Sequence, residues 1–102
     1  MANFAIREEI FPDSPETVRV RVERALSRLG WAPRRPAGDA LHAVWTSPVF
    51  RFRDDVVVAF SAEGSGTRVR VRSSSRVGRY DFGQNARHIR ALFREVARQP
   101  SG

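Results

Sequence analysis

The chain predicts an α+β domain: a curled antiparallel sheet of about five strands with two amphipathic helices on one face, in the order β-α-β-β-β-β-α. Three observations carry this. Apolar and charged residues alternate in segments such as TRVRVRSSS, the mark of a sheet with one wet face. Two other segments, one ending at Gly30 and one beginning near Asp81, have helical periodicity. The stretches RPAGDA and EGSG read as turns that join neighbouring strands.

Taken in order, Phe4, Ile6 and Ile10 fall on alternate positions of a first strand, broken by Glu8. Ser14 as N-cap, Pro15 at the first helical position and Glu16 in the first turn start a helix that Gly30 closes. TVRVRV alternates like a strand, but the cap and the glycine stop decide for helix. Val18, Val22, Ala25, Leu26 and Leu29 share one face, with Arg21, Arg24 and Arg28 on another. Trp31 to Arg35 and Leu41 to Thr46 form a hairpin, after which Pro48 interrupts. In VFRFRDD, Phe50 and Phe52 alternate with Arg51 and Arg53. DDVVVAFSA follows as a strand with Val56, Val58 and Phe60 on one face. TRVRVRSSS then sets Val69 and Val71 against Arg68, Arg70 and Arg72. From Asp81 as N-cap, with Gln84 closing a capping box, a last helix presents Phe82, Ala86, Ile89, Phe93 and Val96 on one side and Arg87, Arg90, Arg94 and Arg98 on the other. Trp31, Trp45, Phe50 and Phe52 are expected in the core, where they would line any small apolar pocket under the helices. Residues 1–99 read as a single domain and 100–102 as a frayed tail.

Composition narrows the function classes. With no cysteine, disulfides, thiolate metal sites and cysteine nucleophiles are all excluded. No apolar run approaches the 18 residues of a spanning helix, so no membrane insertion is expected. The acids in MANFAIREEIF do not suit a signal peptide, and the expected location is the cytoplasm. The net charge of +7 rests wholly on arginine, since lysine is absent. Residues 1–50 hold seven Arg and six acids; residues 51–102 hold eleven Arg and five acids. The basic character therefore lies in the second half and suits an anionic partner.

The stretch RSSSRVGRYDFGQN, residues 72–85, concentrates the candidate chemistry. A strand delivers Arg72. Ser73, Ser74, Ser75, Arg76, Gly78 and Arg79 follow, and then a helix N-terminus, which favours negative charge. As an anion cradle, Arg76 and Arg79 would hold the anion, Arg72 would orient it, and Asp81 and Asn85 would set loop and helix-start geometry. The competing reading neutralises these arginines internally through bidentate pairs with Asp54 and Asp55. Ser73 and Ser75 lie on the Val69/Val71 side of their strand, which makes one of them a candidate buried hydroxyl. His42 and His88 lack metal-ligand spacing, nothing sets a base beside a serine, and no metal, cofactor or catalytic residue is assigned. Nucleic acid is a weaker partner candidate, because the strand face that would have to stack bases carries arginine in place of aromatics.

RSSSRVGRYDFGQNARHI resembles the signature of the domain of unknown function 1499 family, found in bacteria and plastids. Arg72, Ser73, Ser75, Arg76, Gly78, Asp81, Gly83, Asn85 and Ile89 match its pattern. FRFRDDVVV resembles an upstream family segment through Phe52, Asp54 and Asp55. The likeness runs from about Trp31 onward, with Tyr80 in place of the usual Ser and His88 in place of the usual Arg. It implies a fold and a residue set, and no activity. The combined expectation is a small non-catalytic binding or interaction module with an Arg-rich polar site for an anionic small molecule or acidic protein. Its site residues would be Arg72, Ser73, Ser75, Arg76, Arg79, Asp54, Asp55, Asp81 and Asn85. The rivals are an enzyme using an Asp of the same cluster as general base on an anionic small molecule, and a nucleic-acid binder using the arginine face.

Overall fold

The computed structural model describes residues 3–76 and 83–100. Five strands form one open antiparallel sheet: β1 (Phe4–Phe11), β2 (Ala32–Ala37), β3 (Ala40–Thr46), β4 (Arg53–Glu63) and β5 (Gly66–Ser75). Their spatial order is β1-β5-β4-β3-β2. Helix α1 (Pro15–Leu29) carries the chain from the β1 edge to the β2 edge, and α2 (Gln84–Arg98) follows β5. Fold class and element order agree with the sequence reading.

The start of α1 follows its caps. Ser14 Oγ accepts from Thr17 N–H at 3.3 Å, Pro15 occupies the first turn, and Gly30 adopts a left-handed φ of 74° that lets its N–H reach the Leu26 and Ser27 carbonyls. The core lies between one sheet face and the two helices. Val56, Val58, Val69, Val71 and Ala43 from the sheet meet Val18, Val22 and Ala25 of α1 and Ile89, Leu92 and Val96 of α2. The β4–β5 register explains the alternation, since Val58 pairs with Val71 and Phe60 with Val69 on this inner face. Arg68, Arg70 and Arg72 accordingly stand on the outer face, which no helix covers.

Four expectations are corrected. Helix α2 begins at Gln84 with Gly83 as its N-cap (φ 80°), two residues later than an Asp81 cap would place it. Asp81 itself, with Gly78, Arg79, Tyr80 and Phe82, lies outside the described residues. The buried face of α2 is shifted in part: Ile89, Phe93 and Val96 point inward as expected, Asn85, His88 and Leu92 join them, and Ala86 faces solvent. Arg21 leaves the solvated stripe of α1. It is buried over the Phe11 ring, where its guanidinium donates to Asp13 Oδ2 (3.0 Å) and to the Val96 carbonyl (3.1 Å), joining the two helices. Finally, Phe50 and Phe52 are not core. Trp31 is buried and Trp45 packs against the core, but Phe50 stays 74 % and Phe52 41 % exposed because residues 47–52 leave the sheet. A groove of about 570 Å³ does open between α1 and the β2 edge; Leu26, Trp31 and Leu41 line it, but neither phenylalanine does.

Gly66 shows how closely β5 approaches the β1–α1 connection. A Cβ there would overlap the Phe11 carbonyl oxygen and press on Pro12 Cα. Gly66→Ala is therefore expected to cost about 2 kcal/mol or more, because backbone must move to admit it. Gly38→Ala, with φ +63° and open space around it, should cost only about 1 kcal/mol of backbone strain. Urea denaturation of both variants measures the contrast.

Candidate functional site

Strand alternation divides the expected polar cluster into two. Asp54 and Asp55 are consecutive on β4 and so point to opposite faces. Asp54 shares the inner face with Val56 and is buried. Its Oδ2 lies 2.9 Å from Nε2 of His88, also buried. The imidazole is held between Trp45 (centroids 4.5 Å apart) and the edge of Trp31 (5.5 Å). This cluster fixes α2 to β4 and to the α1–β2 turn.

Beside it, Asn85 has no exposed surface. Its Oδ1 accepts from Ser73 Oγ at 2.6 Å, and its Nδ2 donates to the Asn3 carbonyl (2.9 Å) and to Ser75 Oγ (3.1 Å). One side chain thus binds β5 and the residue preceding β1 to the first turn of α2. Ser73 is the buried hydroxyl anticipated on the Val69/Val71 side.

On the outer face, Asp55 receives the Arg76 guanidinium in a two-pronged pair, Nε to Oδ2 and Nη2 to Oδ1, both at 2.9 Å. His42 Nε2 reaches the same Oδ1 at 2.8 Å. The Arg76 hydrogen bond, helped by that from His42 and opposed by partial burial, holds the Asp55 carboxyl down at about 2 from the ordinary 3.8. The same pair raises the Arg76 pKa. Arg72 takes no part. Its guanidinium lies 4.9 Å over the Phe4 ring, with a long contact (3.4 Å) to Ser74 Oγ. Arg68 and Arg70 are engaged by Glu8, and Arg68 also by Glu63.

The structure thus joins Asp54 to His88, Asp55 to Arg76, and Ser73 and Ser75 to Asn85, and leaves Arg72 apart. Arg79 and Asp81 fall outside the described residues. Missing from the expected set were His42, His88 and the two tryptophans. Alternation alone separates Asp54 from Asp55, but no spacing rule pairs His88 with a strand 34 residues away. Among the described residues, no three His, Cys, Asp or Glu side chains group as metal ligands. Among them too, no helix is long and apolar enough to cross a membrane.

A strand order β1-β5-β4-β3-β2 under two helices, with β4 and β5 joined by Asp55–Arg76 and both tied to α2 through Asp54–His88 and Ser73/Ser75–Asn85, defines a small α+β class with a polar lock. The family model described as "Protein of unknown function (DUF1499)" matches residues 2–96, and the chain belongs to that family. The match takes in β1 and α1 as well as the region from Trp31 onward. No curated protein matches. Two solved structures share the fold at low identity. TTHA0849 from Thermus thermophilus is 14 % identical, with 93 % of this chain and 94 % of that one covered and a TM-score of 0.52. The vertebrate conserved region of human METTL16 is 18 % identical, with 80 % and 74 % covered and a TM-score of 0.52.

Two outcomes follow for the lock. Asn85→Ala strips partners from buried Ser73 and from the Asn3 carbonyl, and is expected to cost roughly 2–3 kcal/mol in chemical denaturation. Asp55 has a lowered folded-state pKa, so its stabilising contribution is complete above the unfolded value and is lost as pH falls from about 4 through about 2. Arg76→Gln should flatten that acid limb when stability is followed from about pH 5 to about pH 2. An unchanged slope would remove the pair as its cause.

Proposed function

We propose that the chain is a non-catalytic binding module for an anionic partner. Its working surface is the arginine-bearing end of the uncovered sheet face, in place of the cradle foreseen around Arg76 and Arg79. One observation carries this reading. The acids at that end are occupied, Asp54 by His88 and Asp55 by Arg76 and His42, while Arg51, Arg53 and Arg72 have no acidic partner among the described residues. Arg53, Asp55 and Val57 alternate onto the outer face of β4, and Val57 pairs with Arg72 of β5. Arg53 and Arg72 thus stand about 14 Å apart on one surface, from the rise and spacing of extended strands. Acids of the turns, Asp39 and Glu63, lie at the other end of the sheet. Unpaired guanidiniums gathered this way attract carboxylate, sulfate or phosphate groups and set the salt dependence of association.

Two features favour binding over catalysis. A general base needs a carboxyl with a pKa raised toward neutrality, whereas Asp55 is pushed down to about 2. Asp54, another acid of that cluster, is buried against His88.

The test is elution from a sulfated anionic matrix under a salt gradient. Arg51→Ser/Arg53→Ser/Arg72→Ser should elute at clearly lower salt than the unaltered protein. Arg90→Ser/Arg94→Ser/Arg98→Ser removes the same charge from the α2 stripe and should shift elution much less. Equal shifts would mean that net charge alone governs retention and would defeat the reading.

A further inference from the structure

Residues Ser47–Phe52 leave the sheet between β3 and β4 as a loop closed at its neck. Ser47 N–H donates to the Phe52 carbonyl (2.8 Å), and Phe52 N–H donates to Ser47 Oγ (2.8 Å). Within it, Arg51 has φ 61°, the one positive φ outside glycine among the described residues. A side chain seldom adopts this backbone conformation, and it persists where the surroundings over-determine it. The pinned loop does not turn its apolar residues inward. Val49 is 78 % and Phe50 74 % exposed, the two most exposed large hydrophobics among the described residues. Phe50 stacks on Phe52, with ring centroids 5.7 Å apart, which stiffens the projection. Apolar side chains held out to water on an otherwise well-packed domain mark a contact surface.

The flanking charge selects the occupant. Arg51 lies at the tip and Arg53 at the base, both without an acidic partner among the described residues, and Phe4 beneath Arg72 extends the same mixed surface along the sheet. We infer that the Ser47–Phe52 loop is an interfacial anchor that seats Val49 and Phe50 among the headgroups of an anionic lipid bilayer, with Arg51 and Arg53 on the lipid phosphates. This rests on the anion-binding reading of the same end and names the anion as phosphate displayed on a membrane. A stable protein interface buries about 800 Å² on each partner around a central pocket. The exposed apolar residues of the loop, Val49 and Phe50, are few against that area. A bilayer needs no matching pocket, gains from each buried apolar group and attracts nearby arginines through its surface potential. Such docking uses a loop at the surface and requires no spanning segment, so it differs from the insertion that the composition argues against.

Co-sedimentation with vesicles tests this, using phosphatidylcholine alone and phosphatidylcholine with about one-third phosphatidylglycerol. The unaltered protein should pellet with the anionic vesicles and not with the neutral ones. Val49→Ser/Phe50→Ser should lower the partition coefficient about tenfold or more, because apolar burial is lost. Arg51→Ser/Arg53→Ser should lower it comparably at low salt. All four positions are exposed, and unchanged thermal melting of the variants confirms the fold. The Val49/Phe50 variant should keep its salt elution from the anionic matrix. Matrix binding without vesicle binding would overturn the anchor and leave the anion-binding reading standing. Loss of both would overturn both. Vesicle binding undiminished in the Val49/Phe50 variant would show attraction by charge alone and overturn the anchor.

Discussion

Because side chains alternate across a strand, β4 cannot put Asp54 and Asp55 on the same side of the sheet, and the arrangement of the polar residues depends on that constraint. The inward acid must find a partner in the interior, and His88 supplies it from α2 between two tryptophans. The outward acid takes Arg76 from the end of β5 and His42 from β3. The doublet is thereby committed twice, once to holding a helix down and once to tying Arg76 and His42 to β4.

The inward half is the costlier to disturb. Buried polar groups are tolerated when each donor and acceptor is satisfied, and Asn85 meets that condition by bonding two strand serines and a backbone carbonyl at once. With His88 three residues further along the same helical face, it gives α2 two polar anchors beside an otherwise apolar contact. Such anchors specify where the helix sits, which aliphatic packing alone does less sharply. Of the residues that match the family pattern, Ser73, Ser75, Asn85 and Asp54 meet beneath α2. Arg72, Arg76 and Asp55 of the same set face outward, beside Arg53 and the exposed phenylalanines near the β3–β4 loop.

Much of the fold was legible in the residues themselves. Ser14, Pro15 and Gly30 bracket α1 through local hydrogen bonds and backbone preference, which need no tertiary partner. The valines of β4 and β5 mark their buried face because the period of a strand is strict. Less was legible where a residue's role depends on something distant. Phe50 and Phe52 alternate with arginine as a strand would, yet the bonds between Ser47 and Phe52 close a loop there and leave Phe50 in water. Ala86, expected inward, faces solvent because α2 turns Asn85 toward Ser73 and His88 toward Asp54.

By itself the sequence determined the elements, their order, the wet and dry faces of the sheet and the placing of basic charge in the second half. These follow from periodicity, capping and composition, all of which act over a few residues. Only the tertiary structure decided which ions are paired. It set Arg76 against Asp55, buried Arg21, left Arg72 on a phenylalanine ring and turned Val49 and Phe50 outward. Pairing of charges depends on distances of a few ångströms between segments remote in the chain, and those distances exist only once the sheet has its order and α2 its rotation.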